Sequence, residues 1–198
     1  ISGSPGTPVA DTMYVAGPSQ GAGVLTYLSA SDSTIASIVF AGLEPIVDLV
    51  PADQLTVVGT SAGNTFSYTP GPLGSTGLVA MDDQETIEFS GKSQLILLGE
   101  GGDDVFHIDQ QANPTGLTAI TIDAGEGAGE ALHVSLPDAA STVTLTPSAV
   151  DGGTLALTGA VRAPIAFSSL GTAGTLDITA VHAASDVVYN GTAGNDTF

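Results

Sequence analysis

Gly99-Glu100-Gly101-Gly102-Asp103-Asp104-Val105-Phe106-His107-Ile108 decides how this chain reads. It returns without a gap as Gly125-Glu126-Gly127-Ala128-Gly129-Glu130-Ala131-Leu132-His133-Val134, 26 residues further on. Each copy opens on a glycine-rich turn, passes an acidic side chain and enters an apolar alternation. Gly191-Thr192-Ala193-Gly194-Asn195-Asp196-Thr197-Phe198 fits the first eight positions, and Gly63-Asn64-Thr65-Phe66 and Ala10-Asp11-Thr12-Met13 are weaker copies. Self-similarity at a fixed spacing is the mark of a repeat architecture.

A second signature recurs outside these turns. Ile38-Val39-Phe40, Ile87-Glu88-Phe89 and Ile165-Ala166-Phe167 are each followed by Ser or Ala, and then by short apolar strands at Leu55–Val58, Leu95–Leu98 and Leu176–Ile178. Further strands are expected at Val24–Leu28, Leu117–Ile122, Val143–Leu145 and Thr154–Leu157. Many alternate strictly, as in Thr142-Val143-Thr144-Leu145-Thr146, the period of a sheet with one buried face. Bounding Gly, Asn, Asp, Ser and Pro supply the turns. The fold class is therefore all-β. A right-handed parallel β-helix of degenerate coils, about 20–26 residues each, explains the repeat, because stacked coils put like residues in like places. A β-sandwich competes, but gives no reason for the spacing. In the β-helix Phe106, Leu132 and Phe198 face inward at one corner, with Ile108 and Val134 beside them. His107 and His133 then face outward on neighbouring coils about 4.8 Å apart, close enough to stack or to share a metal.

Composition narrows function. The chain has 198 residues, 21 acidic against 2 basic, a net charge of −19 and no cysteine. Nucleic acid is excluded as a partner, since phosphate binding needs Lys and Arg. Disulfides, thiolate metal sites and Cys nucleophiles are excluded too. No apolar run approaches the roughly 20 residues of a membrane span. Without an initiating Met, and ending within what reads as a strand, residues 1–198 are expected to be one β-helical segment of a longer protein.

The turn motif carries the one chemical suggestion. Glycines expose carbonyl oxygens, Asp adds a hard anionic ligand, and the following Phe anchors the turn, which suits Ca²⁺ with its six to eight oxygens. Gly191–Phe198 and Gly99–Phe106 resemble hemolysin-type (repeats-in-toxin) calcium-binding nonapeptides. Phe40-Ala41-Gly42-Leu43-Glu44-Pro45-Ile46 with Glu85-Thr86-Ile87-Glu88-Phe89 resembles a pattern in large, Gly-rich bacterial surface repeat proteins of the planctomycete type. The resemblance implies an extracellular or cell-surface bacterial protein, often calcium-linked, with adhesive or envelope roles. Asp103, Asp104, Asn195 and Asp196 are the candidate calcium ligands. The chain departs from the tandem calcium roll: the good copies are far apart, Glu130 replaces the Asp in the middle one, and Glu100 and Thr192 stand where a second Gly belongs. The alternative role for Asp104 and Asp196 is to cap turns by accepting backbone N–H groups.

Catalysis is not expected. Lys92 and Arg162 are the only fixed cations, Asp82-Asp83 with Glu85 is an ordinary acidic turn, the three His lack a triad context, and there is no Trp for a sugar platform. The function expected is a non-catalytic structural or adhesive module. A calcium-responsive folding module and a glycan-binding or polysaccharide-degrading β-helix are the alternatives. The partners expected are the rest of the same long chain, glycans or other cell-surface components.

Overall fold

A computed structural model describes residues 8–42, 45–111, 113–137, 142–159, 161–179 and 185–190. Those residues hold seventeen strands in two sheets. The first ten are β1 (Asp11–Ala16), β2 (Ala22–Leu28), β3 (Thr34–Ala41), β4 (Ile46–Asp48), β5 (Ala52–Val58), β6 (Thr65–Pro70), β7 (Gly77–Met81), β8 (Ile87–Phe89), β9 (Lys92–Leu98) and β10 (Val105–Asp109). They are followed by β11 (Ala119–Asp123), β12 (Ala131–Ser135), β13 (Thr142–Ala149), β14 (Gly152–Thr158), β15 (Ile165–Ser168), β16 (Thr175–Thr179) and β17 (Asp186–Tyr189). The first sheet runs β17-β13-β14-β15-β11-β9-β5-β1-β2-β3 and the second β16-β12-β10-β6-β7-β8-β4.

Both sheets are mixed and open, and the layout is sandwich-like. This corrects the expectation of a uniformly parallel structure. Parallel pairing links β1, β5, β9, β11 and β15 in the first sheet and β6, β10, β12 and β16 in the second. From β5 to β12 the chain passes from sheet to sheet, interrupted only where β7 folds back antiparallel on β6 and β8 antiparallel on β7. The antiparallel pairs β1–β2–β3 and β13–β14–β15 are similar excursions. They absorb the variation in spacing. Where no excursion intervenes the step is 25 or 26 residues, Leu95 opposite Ile120 and Phe106 opposite Leu132. With β7 and β8 inserted it is 40, Phe66 opposite Phe106.

The core lies between the sheets, and alternation decides which side chains enter it. Leu55, Leu95, Ile120 and Ile165 form one row from the first sheet. Phe66, Phe106 and Leu132 form the facing row, all fully buried. The Phe66 and Phe106 rings stack with centroids 4.9 Å apart. Ile108 and Val134 are also buried, as expected from the repeat; Phe198 lies outside the described residues. The Ile-x-Phe signature, by contrast, does not mark one repeated position. Ile38–Phe40 closes an antiparallel excursion, Ile87–Phe89 is β8 of the second sheet, and Ile165–Phe167 belongs to the parallel set of the first.

Candidate functional site

The turns that join the first sheet to the second stack on one another, and they hold the expected ligands. Asn64, Asp104 and Glu130 occupy equivalent places, one residue before β6, β10 and β12. The two acids each reach back one turn. Asp104 Oδ1 accepts the Asn64 N–H at 2.6 Å, and Glu130 Oε2 accepts the Asp104 N–H. Asn64 Oδ1 accepts the Thr60 N–H at 2.7 Å within its own turn. Asp103, one place earlier, accepts the N–H groups of Ala128 and Gly129, both at 3.1 Å. Asp104 thus accepts a backbone N–H, as in the capping role weighed for it, and Asp103 accepts two more. Asn195 and Asp196 lie outside the described residues.

The middle copy's Glu130 is no defect. The turn from β9 to β10 runs from Leu98 to Val105, and the next, from Asp123 to Ala131, is one residue longer. The longer side chain reaches the same kind of N–H across that difference. The ungapped alignment of the two stretches therefore slips by one in space at its start: Gly101 bridges to Glu126, and Glu126 N–H donates to the Glu100 carbonyl. Glu100 and Gly125 both have positive φ, 73° and 92°, where only glycine is unstrained. A side chain on Gly127 would collide with the Glu130 carboxyl.

Burial leaves one oxygen of each acid, Asp104 Oδ2 and Glu130 Oε1, without a hydrogen-bond partner. It also raises both pKa values. Asp104 is pushed up to about 6, by burial first and then by the Glu130, Asp82 and Asp103 charges, against the lowering effect of the Asn64 N–H. Glu130 is raised chiefly by burial. Among the described residues no group of three or more His, Asp or Glu is arranged to hold a metal ion. A shallow groove over the stacked turns is lined by Thr60, Ser61, Glu100, Gly101 and Glu126.

The outer face of the second sheet carries the row Ser67, His107, His133 and Asp177. The two imidazoles stack with centroids 4.9 Å apart and an interplanar angle of 13°, and His133 Nδ1 lies 3.5 Å from Asp177 Oδ2. Burial, and then the neighbouring His133, hold the His107 pKa below the usual imidazole value.

The acidic turn and the two fixed cations sit in different surroundings. Asp82 accepts from the Thr65 N–H and the Asn64 amide, both at 2.7 Å. Glu85 is buried with both oxygens unpartnered. Arg162 donates to the Gln110 and Val161 carbonyls. Lys92 is wholly buried against Asp48, a contact no repeat or motif in the sequence signals. Gly17-Pro18-Ser19-Gln20-Gly21 spells Gly-x-Ser-x-Gly, the lettering of a hydrolase elbow, but it forms the β1–β2 hairpin turn. That elbow needs a strand-to-helix turn, and here a strand follows. No described helix is long and apolar enough to cross a membrane. No family model, curated protein or solved structure matches the chain.

Proposed function

We propose that this chain is a non-catalytic structural or adhesive module of a secreted or cell-surface bacterial repeat protein, and that its parallel strands are the coils of a two-sheet solenoid carrying antiparallel excursions. The observation that carries the reading is the register from turn to turn: Asn64, Asp104 and Glu130 on the corner, Phe66, Phe106 and Leu132 inside, His107 and His133 outside. One residue type per place per coil is what stacking demands of a solenoid. The buried or capped state of Lys92, Asp82 and Asp104 supports a framework in preference to a reaction centre.

Removal of residues 94–118 tests the solenoid. It joins Ser93 to Ala119, so that β11 takes the place of β9 and β12 stacks on β6. The expected product folds cooperatively with an unchanged type of circular dichroism spectrum, because each coil touches only its neighbours. A chain that no longer folds would refute modular stacking. Turnover of any polysaccharide in a panel of acidic glycans would refute the non-catalytic role.

A further inference from the structure

Lys92 opens β9 in the first sheet, and Asp48 closes β4, the three-residue strand at the edge of the second. Both side chains are fully buried, and Lys92 Nζ lies 3.0 Å from Asp48 Oδ2. The two carboxylate oxygens are not equivalent. Oδ1 accepts two hydrogen bonds, from the Tyr27 hydroxyl and the Val50 N–H, each at 3.1 Å. Oδ2 faces the amine and has no other hydrogen-bond donor. The amine itself donates to the Val50 carbonyl.

We propose that Lys92 and Asp48 condense spontaneously in the folded protein into an Nε–Cγ isopeptide bond that staples the two sheets together. The arrangement contains the parts such a reaction needs. Within the contact pair one ammonium proton passes to Oδ2, leaving a neutral amine and a carboxylic acid. Low polarity favours that exchange, because it removes both charges at once, and burial already lowers the Lys92 pKa. The nitrogen lone pair attacks Cγ, and the carbonyl electron pair moves onto Oδ1. There the Tyr27 hydroxyl and the Val50 N–H hold the developing negative charge, as donors aimed at an oxyanion do in acyl transfer. A second amine proton moves to Oδ2, the Cγ–Oδ2 bond breaks, and Oδ2 departs as water. No outside oxidant or co-reactant enters.

The product fits the site better than the reactants do. The new amide has one N–H, facing the Val50 carbonyl, and one carbonyl oxygen, already bonded by Tyr27 and Val50. The oxygen expelled is the one to which no group besides the amine donates. The bond would fasten β4, which pairs only with β8 in its own sheet, to a strand in the middle of the other sheet.

Intact-mass spectrometry of the natively purified chain decides the matter. The expected mass is that of the sequence less one water. Lys92 and Arg162 are the only trypsin sites. Digestion after full denaturation is therefore expected to cut after Arg162 and leave the bond after Lys92 intact, with tandem fragmentation joining Lys92 to Asp48. The full sequence mass, or a water loss that maps elsewhere, overturns the proposal. Asp48→Asn keeps the shape and is expected to reach the same final mass by losing ammonia. The paired change Asp48→Leu with Lys92→Met buries no charge and is expected to show its full sequence mass. A mass deficit that persisted there would also overturn the assignment.

Discussion

Replacing Asp104 by Asn removes one buried proton site and keeps its main contact, since the amide oxygen still accepts the Asn64 N–H. The wild-type carboxyl has a pKa of about 6 in the fold against 3.8 as the ordinary value. A pKa raised by folding means that the native state binds the proton more tightly. The associated stability is fully present below 3.8 and is lost as pH rises through 6. The full gap corresponds to about 3 kcal/mol at 1.36 kcal/mol per unit. Between pH 7.5 and 4.5 the share recovered is about 2 kcal/mol. Acid also relieves the repulsion among the other carboxylates of a chain with net charge −19, so every form gains on acidification. The informative quantity is the difference between wild type and Asp104→Asn. Urea unfolding at the two pH values is expected to show wild type gaining about 2 kcal/mol more than the variant. Equal gains would refute the argument that Asp104 is buried and holds its proton.

Phe106→Ala removes the ring stacked on Phe66 from a fully buried row, and is expected to lose about 3–5 kcal/mol in chemical denaturation, enough to unfold a marginal domain. The His107 imidazole is expected to titrate below 6.5 by NMR, and to move back towards it in His133→Ala, which removes the neighbouring charge and the stacked ring that helps to cover His107. Because the capping carboxylates Asp103 and Asp104 are held by backbone N–H groups, millimolar Ca²⁺ is expected to leave the melting temperature of the chain where chelator leaves it. A calcium site saturated a hundredfold over its dissociation constant would add about 2.7 kcal/mol and show clearly.

The repeat at Gly99 and Gly125 predicts a register, and the structure displays it residue for residue through β10 and β12, down to the stacked His107 and His133 rings. Alternation locates the strands well: Leu55–Val58, Leu95–Leu98 and Val143–Leu145 all lie within β5, β9 and β13. It says which face is buried but nothing about the direction of the partner strand. For that reason β2, β3 and β8 read like coil strands, yet belong to antiparallel excursions. Glu130 looked like a lost ligand because sequence comparison cannot see that its turn is one residue longer. The Lys92–Asp48 contact was invisible for a different reason. It joins residues 44 positions apart in opposite sheets, through packing that no local pattern encodes.

The parallel ladder has a mechanical corollary. Its interstrand hydrogen bonds point along the stack, across the strands. A load applied along the stack opens those bonds one strand at a time, as a zipper opens, and gives way at low force. A load applied along β10 and β12 shears all the bonds of the pair together and meets far greater resistance. The direction in which the chain is tethered would therefore set whether the same ladder behaves as a yielding spring or as a stiff strut.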